Sequence, residues 1–232
     1  MRKIYVVGGN RQYANWMEGT HWSEDIENAD LVVFTGGEDI NPIHYGRARH
    51  PKTFFNDKRD NEEFAAFRVA KFLEKPMVGI CRGAQLLCVI AGGRLIQDQD
   101  DPLFFHPIIT STNRVLTMTS MHHQAQFPWD LPKDKYVPLA WTVGNSHHHD
   151  GPMERVEMIY EAPPCCNREA EIIYYPDIRG LAIQGHPEMM FRRMSYNKPV
   201  AESIDYCRLL LNVLLNLKKP KHEATQLPLV LA

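Results

Sequence analysis

The chain of 232 residues has no long apolar run, no block of basic residues and no surplus of charge of either sign. Nothing approaches the roughly 20 apolar residues that a membrane-spanning helix needs. The opening stretch, MRKIYVVGGN, holds only the apolar run Ile4-Tyr5-Val6-Val7, too short for the core of a signal peptide. With a net charge of −2 and no cluster of Lys and Arg, no nucleic-acid partner and no membrane partner are expected. Cysteine is sparse and odd in number: Cys81, Cys88, Cys165, Cys166 and Cys207. An odd set without a secretory leader points to reduced thiols and a cytoplasmic protein, not to a disulfide framework. Repeats and low-complexity segments are missing too. What remains is an ordinary globular composition, 44% hydrophobic and 23% charged, long enough for one large α/β core.

The elements that are present alternate. Lys3–Val7 and Leu31–Thr35 are β-branched apolar runs, each stopped by a glycine pair, as buried parallel strands are. Asp60–Leu73 reads as a helix with Asp60 as its cap and Phe64, Phe67 and Val69 on its apolar side. Met77–Ile80 is another short strand, and Ala84–Ala91 a helix closed by Gly92-Gly93. Strand, helix, strand, helix implies a parallel sheet covered on both faces. Asn113–Thr119, Tyr136–Val143, Glu154–Tyr160 and Ala170–Tyr175 read as short strands of a small β-rich segment. Leu181–Gln184 is one more buried strand. Ala201–Leu217 is a last helix with Ile204, Cys207, Leu211, Leu214 and Leu215 at helical spacing. Residues 1–217 are expected to form one domain, with 218–232 a loose C-terminal tail.

The stretch MVGICRGAQ, Met77–Gln85, concentrates the chemistry. Cys81 stands between a strand and a helix, flanked by Gly79 and Gly83. Small neighbours permit a sharp turn that pushes one side chain out of the fold, as in the G-x-S-x-G elbow of serine hydrolases. A cysteine at a helix N-terminus feels the positive end of the helix dipole, which favours the reactive thiolate. A cysteine nucleophile needs a base, and the base an orienting group. His186 and Glu188, in Gly185-His186-Pro187-Glu188 after a buried strand, offer both at the carboxyl end of the sheet, where open α/β sheets hold ligands. On an extended chain, residues two apart point the same way, so Glu188 can hold the His186 ring. An oxyanion hole needs two backbone N–H groups. Arg82, just after the nucleophile, supplies one, and Gly37 is a second candidate in a turn after another strand.

GICRGAQ, then HHQ, then GHPE resembles the class I glutamine amidotransferase-like superfamily, and within it the gamma-glutamyl-gamma-aminobutyrate hydrolase branch, peptidase family C26. Further stretches carry the likeness: Gly92-Gly93-Arg94-Leu95-Ile96-Gln97, Thr35–Gly46 (TGGEDINPIHYG), Asp57–Glu63 with Arg59 one place early, and Thr119–Gln124 (TSMHHQ). The resemblance implies a three-layer α/β, flavodoxin-like fold with a mostly parallel central sheet. It implies Cys81 as nucleophile, His186 as general base and acid, and Glu188 as its orienter. Gln85 would help hold a glutamyl group, and Ser120, Met121 and His122 would line its pocket. The implied reaction attacks a side-chain γ-amide, forms a γ-glutamyl thioester and hydrolyses it, with no metal and no other cofactor. The substrate is then a γ-glutamyl conjugate or glutamine. In the second case a synthetase or amide-ligase partner would take the ammonia. A homodimer is left open, and a catalytically silent binding protein is the third alternative.

The chain also departs from the family pattern. Arg94 stands where the family has threonine, and Thr119 where it has asparagine. The segment Asn10–Asp30 is short, and such a trimmed form resembles versions found in large phage genomes. Cys88 is expected in the core, and Cys165-Cys166 as a neutral pair in a loop. His147-His148-His149 is expected as a solvated loop rather than a metal site, and His122-His123 as a pocket wall. Arg59-Asp60 is expected to be a helix cap and its neighbour rather than a pair with a substrate role. The Arg82 side chain is left between a substrate carboxylate and a salt bridge to the fold. Trp16, Trp22, Phe104, Phe105 and Trp129 are candidates for the rim of a pocket or an interface.

Overall fold

The apolar runs stopped by glycine become adjacent strands of one sheet. The computed structural model describes residues 2–99, 105–119, 121–142, 147–149, 155–157, 169–191 and 198–216. The elements in chain order are β1 (Arg2–Val6), β2 (Thr20–Trp22), β3 (Leu31–Phe34), α1 (Asp57–Phe72), β4 (Met77–Ile80), α2 (Arg82–Ile90), β5 (Arg94–Ile96), β6 (Asp98–Gln99), β7 (Phe105–Thr110), β8 (Val115–Thr119), β9 (Ala125–Phe127), β10 (Val137–Thr142), β11 (His147–His149), β12 (Arg155–Glu157), β13 (Glu169–Tyr175), β14 (Gly180–Ile183), α3 (Pro187–Phe191) and α4 (Lys198–Asn216). Nine strands form one sheet in the order β2-β1-β3-β4-β14-β13-β10-β7-β8. From β2 to β14 the pairings are parallel; from β14 to β8 they are antiparallel.

The parallel strands alternate between two apolar layers. Val33, Val78, Ile80, Leu181 and Ile183 face the layer closed by Ala14, Trp16 and α4. Val32, Phe34, Met77 and Ala182 face the layer closed by α1 and α2. This is the three-layer α/β architecture that the strand–helix alternation implies. Helix α2 is buried from Arg82 to Val89, which accounts for its nearly continuous apolar sequence. No helix among the described residues is long and apolar enough to cross a membrane.

Several local expectations are corrected. The caps differ: α1 begins three residues earlier than its apolar pattern suggests, and Asn56 caps it by accepting the Arg59 N–H. Asp60 is instead fully buried, and Val69 is exposed. Of the strands of the β-rich segment, β8, β10 and β13 join the main sheet, together with β7, which its proline obscured, while β12 pairs with β11 in a small three-stranded sheet with β6. The His147–His149 run is the backbone of a short strand paired with β6 and β12, not a loop. Trp16 is no rim residue but a core anchor, donating from Nε1 to the Tyr13 carbonyl at 2.9 Å. Cys165-Cys166, Ser120, Phe104 and the tail lie outside the described residues.

Candidate active site

Strands β3, β4 and β14 are neighbours, so the segments that follow them emerge side by side. Their register sets Phe34 beside Gly79 and Ile80 beside Ile183. Thr35-Gly36-Gly37, Cys81 and Gln184-Gly185-His186 therefore meet at one edge, although more than 40 positions separate each from the next. Cys81 donates its backbone N–H to the Ile183 carbonyl at 2.8 Å.

Cys81 has φ 54° and ψ −110°, a conformation that a residue with a Cβ rarely adopts. The two glycines make the turn fit. A Cβ on Gly79 would run into the Gly83 carbonyl, and a Cβ on Gly83 into the carbonyl of Phe34. The first turn of α2 is thereby seated directly on the end of β3. Cys81 is 6% exposed; its carbonyl accepts the Ala84 and Gln85 N–H groups, whereas the Arg82 N–H is one of the helix-end donors that no turn of the helix satisfies.

His186 lies across from it. Its Nδ1 is 2.6 Å from Glu188 Oε1, which leaves Nε2 for other partners, and Cys81 is close enough to act on the charge of the ring. Burial alone would lower the ring's pKa; the bonds to Cys81 and Glu188 outweigh it and raise it to about 10. The ring is thus held as an imidazolium beside the thiol. Its backbone is fixed as well: the His186 N–H donates to Thr119 Oγ1 at 2.8 Å, so the threonine in place of the family's asparagine has a defined task. Gly185 is needed because a Cβ would strike Met118. The His186–Glu188 contact is not made on an extended chain, as the spacing suggested. Pro187 starts α3, and Glu188 reaches the ring from its first turn.

The structure separates the other candidates. Arg82 is 1% exposed and its guanidinium is spent on Asp60 and Glu63 of α1, so its side chain faces the fold and not a substrate. Gln85 donates from Nε2 to the Gln124 carbonyl at 2.8 Å; Gln124 donates in turn to Thr53, and Thr53 to Gln97. The glutamines that end CRGAQ, RLIQ and HHQ form one buried relay under the 48–55 loop. Met121 is exposed and His122 buried. Burial pushes the His122 ring down to about 3, with the charges of His106 and His186 adding to it. His123 bridges Asp39 at 3.1 Å and Asp98 at 3.4 Å, and the Asp39 bond raises its pKa.

One residue at the site, Tyr13, escapes the sequence reading, and one, Arg59, takes a place other than the expected one. The Tyr13 ring centroid is 6.2 Å from that of His186, and a Cβ on Gly36 would meet both rings. Burial, then the charges of Glu188 and Cys81, raise the Tyr13 pKa. Tyr13 sits in a single 3₁₀ turn, which has no periodicity to read. The second is Arg59, whose Nη2 donates to the Gly36 carbonyl at 2.7 Å. Its place in the Asp57–Glu63 motif was the available signal.

A family profile for peptidase C26 matches residues 15–188, most of the chain. The chain belongs to the peptidase C26 family. Among C26-like and amidotransferase-like relatives, the glutamine amidotransferase-like protein YvdE of Lactococcus lactis is 28% identical over 211 residues, covering 78% of this chain and 76% of that protein. Protein NtpR of Enterococcus hirae is 30% identical, covering 71% of this chain and 69% of its own. The glutaminase domain of Trypanosoma brucei CTPS, solved with bound acivicin, superposes with a TM-score of 0.55 at 13% identity, covering 95% of this chain and 97% of that one, which shows the shared fold. As a C26 member with this fold, the chain is a glutamine amidotransferase-like enzyme of the amidase or amidotransferase type.

Proposed function

We propose that the chain is a cysteine hydrolase that cleaves a γ-glutamyl amide bond through a γ-glutamyl thioester on Cys81 and releases glutamate. The observation that carries this reading is the His186 ring, held by Glu188 at 2.6 Å and electrostatically coupled to Cys81, whose strand end pairs with the strand that leads to His186. The thiolate attacks the γ-carbonyl carbon. The oxyanion that forms takes hydrogen bonds from the N–H groups of Arg82 and Gly37. His186 gives its Nε2 proton to the departing amine as the C–N bond breaks and the thioester forms. A water then loses a proton to His186, its oxygen bonds to the thioester carbon, and the sulfur leaves as thiolate. Glu188 holds the ring in place. Met121, His122 and Gln85 are the described residues proposed to hold the glutamyl group.

A second reading makes the same chemistry a glutaminase step, with ammonia passed to a synthetase or ligase partner. The glutamine amidotransferase-like names of the curated relatives favour it. Glutamate release from glutamine and from a panel of γ-glutamyl amines separates the two. Turnover of γ-glutamyl amines by the chain alone, faster than of glutamine, supports the hydrolase. Weak glutamine turnover that a partner protein restores supports the second. Absence of glutamate release from every substrate, or activity retained in Cys81→Ala, rejects both.

A further inference from the structure

The two backbone donors named for the oxyanion come from different elements, and one ion network lies behind both. Arg59, on the first turn of α1, donates from Nη2 to the Gly36 carbonyl at 2.7 Å and from Nε to Glu63 Oε1 at 3.0 Å. The other oxygen of Glu63 pairs with Nη1 of Arg82, and Asp60 with Nη2 of Arg82. Asp60 Oδ2 also accepts the N–H of Asn41 at 2.9 Å, from the far end of the same glycine loop. Asp60, Glu63 and Arg82 are almost wholly buried, with side-chain exposures of 0%, 4% and 1%. Buried charges persist only where they are paired, so the four side chains hold one another in one arrangement.

The consequence for the loop follows from the peptide itself. In a trans peptide the C=O and the N–H point in opposite directions. With the Gly36 carbonyl held by Arg59, the Gly37 N–H of the same peptide points away from the guanidinium. Gly36, on the other side, borders the Tyr13 and His186 rings. Gly37 has φ 143°, and a Cβ on it would collide with the Arg59 guanidinium, so glycine lets the arginine lie flat against the loop.

We infer that Arg59 is a positioning residue that fixes the Gly36–Gly37 peptide with its N–H toward the reacting carbonyl. Through the shared carboxylate Glu63, it also locks this donor in register with the Arg82 N–H beside Cys81. The inference rests on the hydrolase reading above. Arg59 touches no substrate; it acts through the loop. An arginine is needed because its planar fork bonds the Gly36 carbonyl and Glu63 together, which the single ammonium of a lysine does not.

The test separates oxyanion stabilisation from the reactivity of the thiol. Hydrolysis of a γ-glutamyl anilide passes through an oxyanion, whereas alkylation of Cys81 by iodoacetamide does not. In Arg59→Ala, kcat is expected to fall about 100-fold, the scale of losing one oxyanion donor. KM and the alkylation rate, taken on the plateau of its pH profile, should stay within about threefold of the wild type. Arg59→Lys, which keeps the charge and the fold if the alanine variant does not fold, should show the same split with a smaller loss. An unchanged kcat in both variants overturns the inference. So does a parallel loss of kcat and alkylation, because that means the Cys81–His186 pair itself has collapsed. If the wild type fails to hydrolyse any γ-glutamyl substrate, the hydrolase reading fails instead.

Discussion

The backbone N–H of Cys81 donates to the carbonyl of Ile183 at 2.8 Å, so the last rung of the β4–β14 ladder lies directly under the thiol and three residues before His186. The distance between Cys81 and His186 is thus set by a parallel pairing of buried strands rather than by flexible loops. Sites built on strand ends hold their geometry because the sheet cannot shift one rung without exposing Val78, Ile80, Leu181 and Ile183.

The strained backbone of Cys81 leads to a stability prediction. At φ 54° any Cβ is unfavourable, at a scale of about 1–3 kcal/mol. Cys81→Ala and Cys81→Gly should both abolish turnover. Glycine ordinarily costs stability relative to alanine, yet here it should raise the denaturant midpoint above that of Cys81→Ala, corresponding to about 1 kcal/mol of unfolding free energy. Urea unfolding of the two variants checks this; an alanine variant clearly more stable than the glycine variant would contradict the strained elbow.

The charge pairing of His186 predicts a pH effect on catalysis. Its bonds to Cys81 and Glu188 hold its proton up to about pH 10, so the alkaline limb of the rate profile should lie there. Glu188→Gln removes one of the groups that raise this pKa. The limb should move toward lower pH, and kcat should fall about 100-fold. A profile whose alkaline limb stays in place in Glu188→Gln would remove the carboxylate from this role.

How far the sequence revealed this site depends on which forces fixed each part. Cys81, His186 and Gly37 follow apolar runs ended by glycine, and burial of those runs in parallel strands was legible from composition alone. Local spacing could also place the elbow, because the glycines on either side of Cys81 have a steric meaning. The role of Arg82 was not legible. Its partners Asp60 and Glu63 lie about 20 positions upstream, and only the packing of α1 against α2 brings them together. The same holds for Tyr13, which reaches His186 from a turn without periodicity, and for β7, whose proline disguised a strand.

Buried histidines of opposite tendency predict the pH dependence of stability. His122 is pushed down to about 3 in the fold, against roughly 6.5 in an unfolded chain. Its contribution is therefore fully present above about pH 6.5 and is lost as pH falls toward 3. His186 has the opposite sign: raised to about 10, it contributes fully below about pH 6.5 and loses that contribution as pH rises toward 10. Thermal unfolding of His122→Gln should vary less between pH 7 and pH 4 than that of the wild type. An equal slope in the two proteins would show that His122 titrates freely.

Gly83 offers a test of packing at the elbow. An added methyl would meet the backbone carbonyl and Cβ of Phe34, neither of which can rotate away. Gly83→Ala should cost about 1–3 kcal/mol, as overpacking does, and should also lower kcat by lifting α2 off the end of β3. Gly92→Ala is the control: there only a leucine methyl is in reach, though φ 95° still exacts a strain cost, so stability falls while kcat is kept. A Gly83→Ala protein with wild-type kcat would mean that the seat of α2 on β3 does not matter for the chemistry.

The last prediction concerns which thiol reacts. Cys88 and Cys207 are buried, and burial pushes both up to about 12, so neither carries appreciable thiolate at neutral pH. Cys81 is 6% exposed and sits at the N-terminus of α2 beside the His186 ring, a position neither of the other two thiols shares. A glutamine-like electrophile at pH 7.5 should therefore add its mass to Cys81 long before Cys88 or Cys207. His186→Ala should slow the addition, because the thiolate then loses its cationic partner. Peptide mapping after brief exposure reads this out. Modification of Cys88 or Cys207 at the rate of Cys81, or a rate at Cys81 that His186→Ala leaves unchanged, would mean that the pair does not activate the sulfur. The thiol would then be reactive through its position on the helix alone.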